Sequence, residues 1–137
     1  MQETPTQSCD VKHVLDAKSR TAAETSPVLD CLGYEDALLI LNVGAITATG
    51  TIDCKVQESP TGAPGSFTDV PGAAFSQIQA GGGSQDYVGG LLLKNRQRFL
   101  QVVLTPATAA SVAGVNMILY YAKERPIKPS ATLEFAV

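Results

Sequence analysis

The sequence has no tryptophan, only four tyrosines and four phenylalanines, and a single histidine, His13, in 137 residues. So few aromatics disfavour a stacking platform for single-stranded nucleic acid, which needs rings on which bases can lie. The same shortage weakens a carbohydrate-binding reading. A lone histidine leaves little room for nucleophilic catalysis, in which Ser or Cys must sit within hydrogen-bond reach of an oriented imidazole. His13 falls in a polar stretch at the start of the chain, and the simpler reading is a solvent- or partner-facing side chain. The three cysteines, Cys9, Cys31 and Cys54, form no CxxC pair. A structural zinc site would need all three thiols and His13 to converge from distant places. Free thiols in a reducing compartment are the simpler reading, and an odd count argues against a fully paired secreted framework.

Charge is also scarce. Only 17% of residues are charged, with ten basic against thirteen acidic side chains and a net charge of −3. A regulator that stays disordered carries more charge and fewer β-branched residues, and a protein that neutralises phosphates carries the opposite balance. The longest apolar run, residues 37–41, falls far short of the roughly 20 residues that span a bilayer. No basic start followed by an apolar core is seen, so no secretory signal is expected.

What the sequence does contain is strand pattern. A chain of this size folds to a surface of about 6,800 Å² from about 20,700 Å², enough burial for a real core. Residues 37–43 (ALLILNV) are an apolar run ending at Gly44, as in a buried strand. Residues 51–58 alternate, placing Ile52, Cys54 and Val56 on a core face and Thr51, Asp53, Lys55 and Gln57 toward solvent or a partner. Leu100, Val102 and Leu104 share a face by the same period of two. Short strands are expected at 67–70, 74–78, 86–93, 99–105 and 112–121, punctuated by Pro71-Gly72, by the glycine-rich stretch 80–84 and by a turn at 59–66. Residues 11–20 could hold one helical turn, too weak a pattern to assign. The pattern predicts an all-β fold: a single antiparallel β-sandwich or jelly roll with extended N- and C-terminal arms, or an open barrel as the second choice. Residues 1–16 are expected as the N-terminal arm, 17–125 as the sandwich domain and 126–137 as the C-terminal arm.

Chemistry-bearing motifs are few. Asp53 and Glu58 lie five apart and Glu35 and Asp36 are adjacent, so neither pair converges on one face of a strand. The run from Gly81 to Ser84 lacks the lysine of a phosphate loop and reads as a mobile hairpin loop. The one basic cluster, at 94–98 (KNRQR), is a solvated turn or docks on an anionic surface of another protein. No cofactor, metal or catalytic residue is expected, and the chain reads as a non-enzymatic protein.

The segments 33–44 (GYEDALLILNVG), 49–59 (TGTIDCKVQES), 67–75 (FTDVPGAAF) and 98–105 (RFLQVVLT), in that order, resemble small β-sandwich virion proteins of tailed bacteriophages. The likeness spans about residues 18–121. It implies a structural protein that decorates and cements the outside of a phage head, assembled in the host cytoplasm. The partners it implies are the major capsid protein and further copies of itself in a homotrimer, with neither nucleic acid nor membrane. A host-recognition or adhesion module of the virion is the alternative, since β-sandwiches serve that role too. The contact residues expected for the arms are Val11, His13, Val14 and Leu15 at one end and Ile127, Leu133, Phe135 and Val137 at the other.

Overall fold

A computed structural model describes residues 5–123. After a single helical turn, α1 (Pro5–Ser8), the chain forms ten strands: β1 (Asp10–Arg20), β2 (Glu24–Thr25), β3 (Leu29–Asp30), β4 (Tyr34–Ile46), β5 (Thr51–Ser59), β6 (Thr68–Ala74), β7 (Ile78–Gln79), β8 (Gln85–Leu92), β9 (Phe99–Ala107) and β10 (Ser111–Ala122). All pair antiparallel, in two sheets. Sheet A has the order β1-β10-β4-β8, and sheet B has β2-β9-β5-β6, with β3 also on β9 and β7 also on β5. Counting β2 with β3 and β6 with β7 as broken strands gives four positions per sheet. The chain changes sheet at every step except from β5 to β6, which is the strand order of a jelly roll.

The core lies between the sheets because period-two alternation puts one side chain in two on the inner faces. Leu41, Leu100 and Leu119 are fully buried, and Ile52, Cys54, Val56, Val102 and Leu104 join them, as their spacing predicts. A buried serine continues the ladder where β2 and β3 break. The N–H of Ser26 donates to the Val102 carbonyl at 2.8 Å and its hydroxyl accepts from the Val102 N–H at 2.9 Å.

Several expectations are corrected. Residues 10–16 are no extended arm, and the expected boundary at residue 17 falls inside β1, which pairs with β10 from Asp10 to Arg20. Val14 and Leu15 belong to the core at 2% and 4% exposure, so neither is available as a contact with another molecule. Register shifts at His13/Leu15 and Leu15/Lys18 turn two adjacent residues inward, which breaks the alternation by which a strand is recognised. The same segment is not helical. Residues 68–74 form one strand running through Pro71-Gly72. The proline is tolerated because β6 is an edge strand, and Gly72 takes the positive φ of 78° that its bulge needs. The expected C-terminal arm, with Ile127, Leu133, Phe135 and Val137, lies outside the described residues.

Candidate functional site

The outer faces of the two sheets differ in kind. On sheet B, outward-pointing polar side chains bond to one another. Gln101 donates to Gln57 at 2.6 Å, Gln57 and Lys55 both donate to Asp69 at 2.8 and 3.0 Å, and Gln77 donates to Asp53 at 3.0 Å. The Gln57 and Lys55 hydrogen bonds hold the Asp69 carboxyl below its ordinary pKa. This is a solvated face.

Sheet A presents the reverse. Directly opposed residues of antiparallel strands share a face, and the registers place Val11, Ile118, Leu38 and Gly90 in one row across all four strands. The next row is His13, Asn116, Ile40 and Val88, and Tyr120, Asp36 and Leu92 form a third. Their chain neighbours Ala37, Leu39, Leu41, Met117 and Leu119 fill the core, so these rows point outward. Val11, Val88 and Leu92 are 41%, 64% and 72% exposed, while Leu38, Ile40 and Ile118 are partly exposed. Apart from Asn116, exposed on the central strand β10, the polar groups keep to the margin. His13 Nε2 lies 2.7 Å from Asp16 Oδ1 on one side, and Asn42 donates to Asp86 at 2.5 Å on the other. An apolar centre with a polar rim is the anatomy of a protein contact surface. It also explains the unbroken run ALLILNV in β4, a pattern of strands covered on both faces.

Of the expected contact residues, Val11 and His13 stand on this face and Val14 and Leu15 beneath it. The sequence reading missed Leu38, Ile40, Val88 and Ile118. Their signal is that β4 stays apolar on both phases of its alternation.

The other candidates are structural. Arg20 is buried at the bulged end of β1. Its Nε donates to Glu24 at 2.5 Å and its other nitrogens to the carbonyls of Asp16 at 2.6 Å, Lys18 at 3.3 Å and Ala113. In the basic cluster, Arg98 holds Asp30 through two hydrogen bonds of 2.9 and 2.8 Å and lies over the Phe99 ring. Arg96 reaches Glu58 at 3.5 Å. With both arginines paired to the chain's own acids, the cluster is a poor surface for anions. The glycine-rich stretch forms a 3-10 turn at Ala80–Gly82, and the Tyr87 hydroxyl donates to the Gly82 carbonyl at 2.8 Å. Cys31 and Cys54 are buried, which pushes both thiols up to about 12. Among the described residues, no cluster of His, Cys, Asp and Glu could hold a metal ion, and no helix is long and apolar enough to cross a membrane.

No protein-family model and no curated protein matches the chain. Among solved structures it is similar to the PBSX exported protein XepA, with a TM-score of 0.60 and 12% identity over 100% of this chain and 45% of that one. It is also similar to a chain in the structure of infectious bursal disease virus, Gx strain, with a TM-score of 0.51 and 7% identity over 86% of this chain and 33% of that one. The SPBc2 prophage-derived protein YomS follows at a TM-score of 0.47 and 8% identity, over 81% and 93% of the two chains. The chain spans less than half the length of the XepA chain it matches. What it shares with XepA and the virus chain is the fold: a two-sheet, antiparallel all-β sandwich.

Proposed function

We propose that the chain is a non-enzymatic structural protein of a phage virion. In this reading it decorates and cements the outside of the head, and the apolar outer face of sheet A is its contact with the shell. The observation that carries this is the contrast between the two outer faces, one self-bonded and solvated, the other apolar and rimmed by polar groups. The rows from Asp36 to Asn42 across four strands cover on the order of 450 Å². Two such faces together bury about 900 Å², under the roughly 1,000 Å² that a specific isolated complex usually needs. A free face-to-face dimer is therefore disfavoured, whereas repeated copies on a lattice of capsid subunits gain hold through multivalency. Assembly as a homo-oligomer, a trimer by the phage resemblance, adds to that gain.

The test is co-sedimentation of the purified chain with expanded phage heads that lack it, beside Ile40→Lys and Ile118→Lys. The wild-type chain should pellet with heads, and both variants should stay in solution with unchanged circular dichroism. Undiminished head binding by both variants would refute the docking face. Binding to host-surface glycans but not to heads would favour the adhesion reading instead. A dimer in solution that Ile118→Lys dissolves would give the face to a second copy.

A further inference from the structure

Exposed sheet edges invite strand pairing, and folded proteins guard them. Here β1 is guarded by two register shifts and by Lys12, His13, Asp16 and Lys18. On the far side of sheet B, β2 and β3 are two residues each. On its other side, β6 carries Pro71 and β7 is two residues long. The edge strand β8 has none of these devices. Its eight residues pair with β4 without a register shift, its one charge is Asp86, and Val88 and Leu92 stand exposed. Among the described residues, no strand pairs with its other side.

We propose that β8 pairs antiparallel with β8 of a second copy, about a two-fold axis at Gly90. In that register Asp86 stands opposite Lys94 at both ends, Val88 opposite Leu92 twice, and Gly90 opposite itself. Outward residues meet outward residues, as a continuous sheet requires. Among the described residues neither Asp86 nor Lys94 forms an ion pair, and the Asp86 carboxylate accepts from the neutral Asn42. A slip of two residues one way sets Asp86 against Leu92, and the other way sets Val88 against Lys94. Charge and apolarity therefore select the same register. On the inward phase, Gly89 faces Leu91 of the second copy. Gly89 and Leu91 line a crevice of about 140 Å³ between β8 and β6, with Gly72, Ala74 and Phe75. The second copy's leucine comes to the place where Gly89 offers no side chain, at the mouth of that crevice.

Opposed over residues 86–94, the two strands form about eight to ten backbone hydrogen bonds, so affinity comes from the main chain more than from apolar area. The axis stands perpendicular to the sheet, and the apolar outer faces of both copies lie on one side. One face of about 450 Å² falls short of the roughly 800 Å² per partner of a standard interface, and the joined face of about 900 Å² meets it. A strand of another protein would have to reproduce the charge pattern that a second copy already carries. The contact is isologous and uses both β8 edges, so it closes at two copies. It is distinct from the contacts of the homotrimer that the phage resemblance implies, and it stands independently of the virion reading.

The experiment measures self-association of the full chain by sedimentation equilibrium, with Asp86→Lys, Lys94→Asp and the double reversal beside it. The wild-type chain should reach two chain masses as concentration rises. Each single reversal sets like charges opposite one another at both ends and should weaken association about tenfold or more. The double reversal should restore it. Both side chains are exposed, and unchanged circular dichroism shows that each variant folds. Amide hydrogen exchange on β8 should slow as the dimer forms, with β1 unchanged, and Ile118→Lys should leave the dimer intact. A single chain mass up to about 1 mM, an oligomer indifferent to the single reversals, or no restoration by the double reversal would each overturn the proposal. So would β8 protection that is equal at all concentrations, which places the cover of that edge within one chain. A dimer that Ile118→Lys dissolves would equally refute it, by giving the association to the outer face of sheet A. A dimer that passes these tests but binds no heads would support the pairing and count against the virion reading alone.

Discussion

Two adjacent residues of β10 separate the core from the outer face of sheet A. Leu119 points into the core and is fully buried, while Ile118, its neighbour, points out on sheet A. Leu119→Ala removes buried methyl and methylene groups and leaves a void between tightly packed layers. Such changes cost about 3–5 kcal/mol, against a total of roughly 5–15 kcal/mol for a domain. The melting temperature should fall by about 10–20 °C, taking roughly 3–4 °C per kcal/mol at this chain length. Ile118→Lys keeps the aliphatic stem against the sheet and sends the ammonium group to water, so its cost should be about 1 kcal/mol or less. Urea unfolding followed by far-ultraviolet circular dichroism measures both, and an unchanged m-value confirms that the comparison is between like states. If Ile118→Lys destabilises the chain as much as Leu119→Ala, the outer face is already covered within the molecule. The reasoning that makes it a contact surface then fails.

The remaining predictions concern thiols, an ion pair and one glycine. At pH 8 a thiol reagent should modify Cys9 in the native protein and leave Cys31 and Cys54 untouched until unfolding, because burial pushes both up to about 12; rapid native labelling of Cys54 would count against the core assignment. Arg98 hydrogen bonds hold the Asp30 carboxyl below its ordinary value, so the pair contributes stability above the unfolded pKa of about 3.9 and loses it as pH falls through the lower folded value. Arg98→Ala should raise the Asp30 titration midpoint in an NMR series, and an unmoved midpoint would exclude Arg98 as the cause. Gly83→Ala would place a methyl 2.8 Å from the backbone carbonyl oxygen of Gly44, which cannot swing away as a side chain can. A loss of about 1–3 kcal/mol in chemical unfolding is expected, and an unchanged midpoint would show that the turn shifts freely.

The sheet interior was legible in the sequence because period-two alternation is a local property. Ile52, Cys54 and Val56 on β5 and Leu100, Val102 and Leu104 on β9 could be placed without knowing their partners. β1 was illegible for the converse reason: its two register shifts put Val14 and Leu15 inward together, and a bulge is decided by the opposing strand. The Arg20 cluster was hidden too, since three of its partners are backbone carbonyls, one of them 93 residues away. Of the outer face of sheet A, only Val11 and His13 were named in advance. Leu38 and Ile40 read as core, because an apolar run is the same string of letters whether its second face meets its own chain or another.

The order of strands in sheet A also dictates when the molecule can form. β10 lies between β1 and β4, so two strands made early have no common neighbour until the last described strand arrives. At synthesis rates of about 5–20 residues per second, the apolar β4 waits roughly 4–15 s for β10 to be made. Throughout that interval the β10 edge of β4 lacks its final partner, and the nascent chain offers a sticky template to any other strand nearby. Closure of the sheet is then a late, non-local event, slow by topology rather than by weak packing. The yield of folded protein should accordingly depend on what shields β4 during synthesis, more than on the final stability of the sandwich.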